Sequence, residues 1–287
     1  MAKLAKKVGL LGAGKMGRDI ALLLASSDID VILRDVTARK LDKAQDHIEQ
    51  SLEQQSKTIG IGQDRRREIQ GHIRGSTKLS ELSDCDFIIE AINEKEERKC
   101  DLLSELGRLS SAEALFASST SSISIATLAK ASLRPDKTLG MHFFHPVLET
   151  PVVELIRGID TSKETEERAE ALVEALGKTA LWVEDSPGFV ANRLLMSLIN
   201  EAIFCLYEGI SDRDSIDRLM QMSQGHQRGP LALADEMGLD QCLSILKVLH
   251  EDFGEDKYRP CPLLRKMVRS GRLGAKSGRG FYDYSQD

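Results

Sequence analysis

Lys7-Val8-Gly9-Leu10-Leu11-Gly12-Ala13-Gly14-Lys15-Met16-Gly17 is the stretch that decides the fold of this chain. A short apolar run enters G-x-G-x-x-G. An amphipathic segment, Ile20-Ala21-Leu22-Leu23-Leu24, follows, and a second apolar run from Ile29 to Leu33 ends near Asp35. The order is strand, glycine turn, helix, strand, acid, which is the pattern of a dinucleotide-binding βαβ unit. Gly12 permits the tight turn, Gly14 lets a pyrophosphate approach the backbone, and Gly17 lets the helix pack close to the strand. The unpaired N–H groups of the helix N-terminus then face phosphate charge, with Lys15 and Met16 in that first turn. Asp35 is expected to bind the ribose hydroxyls and to repel a 2′-phosphate. That favours NAD over NADP, with Arg34 and Arg39 close enough to soften the preference.

Working outward, 287 residues suggest two domains with a sizeable core. The chain carries 45 acidic and 39 basic residues, a net charge of −6, which argues against general nucleic-acid affinity. No apolar stretch reaches membrane-span length. Met1-Ala2-Lys3-Leu4-Ala5-Lys6 leads directly into the first strand, leaving no room for a secretory or transit peptide, so a cytoplasmic location is expected. The five cysteines, Cys85, Cys100, Cys205, Cys242 and Cys261, are scattered and form no C-x-x-C pair, which fits a reducing compartment.

From Thr37 to about Gly75 apolar residues recur at helical spacing (Leu41, Ile48, Leu52, Ile59, Ile69, Ile73), broken at Gly60 and Gly62. This predicts a helical hairpin inserted into the nucleotide-binding fold. Strands are expected at 86–91, 115–118, 139–144, 152–156 and 180–183, with helices at 94–109 and 125–131. Thr161-x-x-Glu164 reads as a capping box for a helix ending at Gly177. Beyond Asp185-Ser186-Pro187-Gly188 strand patterns nearly vanish. The expected architecture is therefore α/β, a Rossmann-like N-terminal domain (1–185) followed by an all-α C-terminal domain (186–287).

Ligands of open parallel sheets sit beyond the carboxyl ends of the strands. The polar residues expected there are Glu90 to Lys99, Ser118 to Ser122, His142 to His145, and Glu154. A histidine with a carboxylate partner, here His142 and Glu154, suits proton transfer, because the acid orients the ring and stabilises the imidazolium. Ser121 and Asn192 are candidate donors to a substrate oxygen. The bland alternatives are a structural histidine and a glutamate on a strand's wet face. A metal site at His142-x-x-His145 with Glu154 lacks clear third-ligand spacing, and no metal is expected.

Seven segments occur in order: Gly12 to Gly17, Glu90 to Glu94 with Lys99, Ser119 to Ser122, His142-Phe143-Phe144-His145-Pro146, Asp185 to Phe189 with Asn192-Arg193, Gly229-Pro230-Leu231, and Lys276 to Tyr282. In these the chain resembles the L-3-hydroxyacyl-CoA dehydrogenase family, closest to its short bacterial 3-hydroxybutyryl-CoA members, from about Lys7 to Tyr284. The resemblance implies an NAD-dependent oxidoreductase interconverting a short-chain L-3-hydroxyacyl-CoA and its 3-ketoacyl-CoA. It implies that His142 is the general base with Glu154 as partner, and that Ser121 and Asn192 position the substrate oxygen. It assigns Asp35, Glu94, Lys99, His145 and Lys276 to the nucleotide. It assigns Ser51 to coenzyme A, with Lys57 standing in for a lysine at Thr58, and it implies a homodimer formed through the helical domain. Three residues depart from the family pattern: His145 replaces an asparagine, Ser119 another asparagine, and Asp19 a glycine. A dehydrogenase of a free hydroxy or sugar acid on the same scaffold, or a non-catalytic NAD-binding protein, remain alternatives.

Overall fold

The computed structural model describes residues 5–285. The chain divides into two compact units, the first ending at Asp185 and the second starting at Ser186.

In the first unit β1 (Lys7–Leu11), α1 (Lys15–Ser26) and β2 (Asp30–Arg34) form the opening βαβ. Then come α2 (Ala38–Ile59), α3 (Gln63–Gly71), β3 (Ile73–Ser76), β4 (Phe87–Glu90), α4 (Glu96–Leu109), β5 (Leu115–Ser118) and α5 (Ile125–Ala131). The unit closes with β6 (Thr138–Phe143), β7 (Val152–Arg157), α6 (Lys163–Ala175) and β8 (Thr179–Glu184). One eight-stranded sheet runs in the order β3-β2-β1-β4-β5-β6-β7-β8. Strands β1 to β6 are mutually parallel where they pair; β7 reverses against β6, and β8 runs parallel to β7. The strand order turns back between β1 and β4, which is the switch point where open sheets of this kind bind ligands.

The central strands read as unbroken apolar runs because both their faces are covered. Phe87, Ile88 and Ile89 of β4 and Leu115, Phe116 and Ala117 of β5 are all at most 1% exposed. Leu22 and Ala25 of α1, Ile48 and Leu52 of α2 and Ile69 of α3 form a separate apolar cluster that seats the helical hairpin. Each such side chain contributes about 1.5–3 kcal/mol by burial. Gly60, left-handed at φ 74°, ends α2, as the sequence suggests.

Two local expectations are corrected. Ile73 does not continue the helical pattern of Ile69; it opens β3, which pairs with β2 at the sheet edge. The hairpin is thus the lengthened crossover between β2 and β3 rather than an insertion reaching Gly75. The first-turn cap of α6 is Ser162, whose hydroxyl accepts from the Thr165 amide, and not Thr161 with Glu164. The Thr161 hydroxyl instead accepts from Gly158 N and donates to the Thr138 carbonyl.

The second unit is helical: α7 (Ala191–Tyr207), α8 (Arg213–Gln224), α9 (Pro230–Met237), α10 (Leu239–Phe253) and α11 (Pro262–Arg269). Its apolar core includes Met196, Ile199, Ile203, Leu231, Leu246, Leu249 and Leu264. Two buried aspartates fix the chain's return through this unit. Asp217 accepts from the Leu231 and Ala232 amides at 2.8 and 2.9 Å, supplying acceptors to the start of α9, and from the Tyr282 hydroxyl. Asp235 accepts from the Phe281 and Tyr282 amides at 2.9 and 2.8 Å and from the Tyr284 hydroxyl. A Cβ on Gly229 would lie 2.2 Å from Asp217, and one on Gly280 would lie 1.9 Å from Asp235. The Gly-Pro-Leu and Gly-Phe-Tyr segments therefore follow from these two clamps. No helix among the described residues is long and apolar enough to cross a membrane.

Asp235→Ala leaves the buried Phe281 amide and the part-buried Tyr282 amide without acceptors, which costs up to about 1–3 kcal/mol each. Thermal unfolding followed by circular dichroism is expected to show a loss of about 2–4 kcal/mol. A midpoint equal to wild type would mean that the clamp does not hold the C-terminal segment.

Candidate active site

The β1–α1 turn is built on close backbone approach. Gly12 has φ 101°, and a Cβ there would lie 2.6 Å from the Ala91 carbonyl. A Cβ on Gly17 would lie 1.8 Å from the Gly12 carbonyl. Gly14 differs: nothing lies within 4 Å of where its Cβ would stand, and its backbone (φ −72°, ψ −174°) suits any residue. No side chain caps α1, and its first turn, with Lys15 and Met16, holds no acid. Open space therefore adjoins the uncapped amides of the helix, and an anion has room to reach them.

Beside this turn lies a cleft of about 560 Å³, lined by Gly12 to Gly14, Arg34 to Val36 and Ala91 to Asn93, with Arg18, Lys40, Lys43, His47 and Arg98 among its charged walls. Asp35 sits at the end of β2. Its carboxylate accepts from the Ala13 amide at 2.9 Å and the Val36 amide at 2.7 Å and pairs with Lys40 at 3.1 Å. Burial opposes its ionisation, but the two amides and Lys40 outweigh that and hold its carboxyl below the usual range. The cation beside it is thus Lys40, in the first turn of α2, rather than Arg39. Open space at Gly14, free amides and an anionic acid at the end of β2 fit a dinucleotide. Lys40, Lys43 and His47 were not singled out in the sequence; their spacing of three and four along α2 was the available signal.

At the carboxyl ends of β4 and β5 the charges form one network. Lys99 is fully buried, with its ammonium 2.8 Å from Glu90 and 3.0 Å from Glu94. Glu90 also accepts from the Ile92 amide and, at 2.6 Å, from the Ser118 hydroxyl. Glu94 accepts from the Thr120 hydroxyl, the Ser121 amide at 2.9 Å and the Ser122 hydroxyl. Burial opposes ionisation of Glu94, yet Lys99, Thr120 and Ser121 hold its carboxyl below the usual range. Lys99 is therefore placed to act through Glu94, which ties the 119–122 loop to the start of α4, and it offers no exposed ammonium to a ligand.

His142 on β6 lies directly across from Glu154 on β7 in the antiparallel register. Its Nδ1 is 2.9 Å from Glu154 Oε2, with the ring 4.6 Å from Phe144. Both side chains are buried. Nδ1 is thus the ring nitrogen that faces the carboxylate. His145, just past β6, lies 3.6 Å from Asp19 on α1.

The remaining predicted residues lie on α2 and in the second unit. Ser51 is half-buried on α2 and Lys57 exposed near its end. Six residues of helix separate them by about 120° around the axis, so they do not share a face. Asn192 lies in the first turn of α7, and Lys276 in a short turn of the second unit, its ammonium 2.5 Å from Asp240. Among the described residues no group of three or more His, Cys, Asp or Glu is arranged to hold a metal.

This fold and site define a nucleotide-binding oxidoreductase. Residues 7–186 match the family model for the 3-hydroxyacyl-CoA dehydrogenase NAD binding domain, and residues 188–284 that for its C-terminal domain. The chain is 47% identical to a probable 3-hydroxybutyryl-CoA dehydrogenase of Deinococcus radiodurans, covering 97% of this chain and 100% of the relative. It is 46% identical to the 3-hydroxybutyryl-CoA dehydrogenase of Bradyrhizobium diazoefficiens, covering 99% and 97%. The crystal structure of (S)-3-hydroxybutyryl-CoA dehydrogenase from Ralstonia eutropha superposes with a TM-score of 0.94 at 40% identity, covering 98% of this chain and 99% of that one. The chain belongs to the 3-hydroxyacyl-CoA dehydrogenase family, whose members are oxidoreductases acting on a CH–OH group.

The two glycines separate fold from ligand. Gly17→Ala is expected to lose more than about 2 kcal/mol of stability, since its methyl displaces backbone. Gly14→Ala is expected to keep wild-type unfolding while weakening NADH binding by at least about tenfold, measured by fluorescence titration. Equal NADH affinity in Gly14→Ala and wild type would contradict the placement of the phosphates.

Proposed function

We propose that the chain interconverts a short-chain L-3-hydroxyacyl-CoA, of the 3-hydroxybutyryl-CoA kind, and the matching 3-ketoacyl-CoA, using NAD in preference to NADP. The observation that carries this reading is the His142–Glu154 contact at 2.9 Å, buried at the carboxyl edge of the dinucleotide-binding sheet. The names of the relatives, 3-hydroxybutyryl-CoA dehydrogenases over nearly the whole chain, support the substrate class. Asp35, held anionic, supports NAD, because a 2′-phosphate would meet like charge.

A bound nicotinamide supplies the hydride acceptor in oxidation and the donor in reduction. In oxidation His142 would take the 3-hydroxyl proton at Nε2, and a bound nicotinamide would supply the acceptor for the hydride from C3. Glu154 holds Nδ1–H and balances the imidazolium that results. In reduction the imidazolium returns the proton to the forming alkoxide. Ser121, with its amide fixed on Glu94, and Asn192 donate to the substrate oxygen in this reading. Glu94 and His145 line the nicotinamide side, Lys276 reaches the nucleotide, and Ser51 and Lys57 meet the coenzyme A moiety.

The homodimer belongs to the same proposal. Leu194, Tyr207, Ile210, Leu219 and Met222 of the second unit are each more than half exposed, an apolar surface a second copy would cover.

The test is oxidation of NADH and of NADPH by acetoacetyl-CoA, run in parallel. Turnover with NADH is expected to exceed that with NADPH. His142→Gln is expected to lose about 10²- to 10⁴-fold in kcat while still binding NADH, and Glu154→Gln to fall in the same direction. Wild-type turnover in His142→Gln would remove the proton-transfer role. Calorimetry with free coenzyme A separates a thioester substrate from a free hydroxy acid.

A further inference from the structure

The cleft beside the β1–α1 turn carries more positive charge than a diphosphate needs. Arg18, Arg34, Lys40, Lys43 and Arg98 line it, with His47, against the two acids Asp35 and Asp101. The amides at the N-terminus of α1 already serve a diphosphate. Arg18 lies 3.7 Å from Asp19, and Lys40 lies 3.1 Å from Asp35. Arg34, Lys43 and Arg98 make no ion pair among the described residues, and Arg34 Nε is buried without a hydrogen-bond partner. The surplus lies around the end of β2 and the start of α2, where Asp35 stands.

An acid at the end of this strand binds the ribose hydroxyls of an adenosine. Standing alone, it excludes a 2′-phosphate by like-charge repulsion. Asp35 does not stand alone. Its Oδ2 accepts from the Ala13 amide, its Oδ1 from the Val36 amide, and the Lys40 ammonium sits on that same Oδ1. A phosphate there meets an ion pair rather than a bare carboxylate, with Lys43 three residues further along the same helix face. The Lys40 side chain is 59% exposed, so its flexible stem is free to swing from the carboxylate to a phosphate. Arg39, its neighbour in sequence, is exposed and is absent from the lining of the cleft.

We propose that Lys40 is the residue that sets how far this chain discriminates between NAD and NADP. By neutralising Asp35 and offering its ammonium to a 2′-phosphate, it admits the phosphorylated nucleotide as a second ligand of the same cleft. The inference rests on reading the cleft as the nucleotide site and on the NAD preference proposed above. Asp35 sets the direction of that preference, because a carboxylate accepts from a free hydroxyl and repels a phosphate. Lys40 sets its size. Without Lys40 the carboxylate faces the phosphate uncompensated. Without the Asp35 charge, Lys40, Lys43 and Arg34 remain as cations around the same place.

The experiment is fluorescence titration of the full chain with NADH and, separately, with NADPH, read as the ratio of the two Kd values. Wild type is expected to bind both, NADH more tightly by about three- to thirtyfold. Lys40→Gln, which keeps the length of the side chain and removes its charge, is expected to widen that ratio by about fivefold or more. Asp35→Asn is expected to narrow it to unity or below. Arg39→Gln is expected to keep the wild-type ratio within about twofold, as an exposed charge outside the cleft should. An unchanged ratio in Lys40→Gln or in Asp35→Asn would overturn the assignment. So would an equal widening in Arg39→Gln, since the general field of the helix start would then be the cause. NADH binding without any NADPH binding in wild type would overturn the second ligand and leave the NAD reading standing. Failure to bind either nucleotide would overturn the reading of the cleft and the inference together.

Discussion

The antiparallel register of β6 against β7 is the constraint on which the site turns. Six strands run one way, and the sheet reverses once, so that Glu154 faces His142 across a single rung. Strand side chains alternate faces, so a slip of one residue would carry Glu154 to the other side of the sheet and leave the imidazole without its acid. The slip is resisted by packing: Met141, Phe143, Val153 and Leu155 are at most 2% exposed and share one apolar cluster. On the opposite face of the two strands His142 and Glu154 are themselves buried, which strengthens their electrostatic coupling.

A second set of buried charges organises the neighbouring strand ends. Lys99 lies between Glu90 and Glu94, and each carboxylate spends its remaining acceptors on a backbone amide or hydroxyl. Buried ions are tolerated only when paired and fully hydrogen-bonded. The arrangement links β4, the start of α4 and the loop after β5, so the position of Ser121 depends on a lysine that is itself hidden. In the second unit Asp217 and Asp235 play the comparable part, since two carboxylates tie the C-terminal segment to α8 and α9.

Much of this was legible in the sequence. The βαβ opening followed from the glycine turn between two apolar runs, because glycine without Cβ is needed where backbones meet, as they do at Gly12 and Gly17. Family membership followed from ordered motifs. Element boundaries were less legible: β3 is only Ile73–Ser76, two of its four residues exposed, and its identity comes from pairing with β2 rather than from local periodicity. Thr161 and Ser162 are adjacent potential caps, and only the geometry of the Thr138 carbonyl assigns the hydroxyl of each.

By itself, then, the sequence determined which groups are present: a glycine turn opening a helix, a histidine, an acid and a helical second unit. The tertiary structure alone decided which groups meet. It set His142 against Glu154, withdrew Lys99 from the surface, gave Lys40 rather than Arg39 to Asp35, and brought Asp19 within 3.6 Å of His145 although 126 residues separate them. The reason is physical. Propensity and glycine geometry act over a few residues and can be read along the chain, whereas charge pairing acts through space and exists only once burial and strand register have fixed the distances.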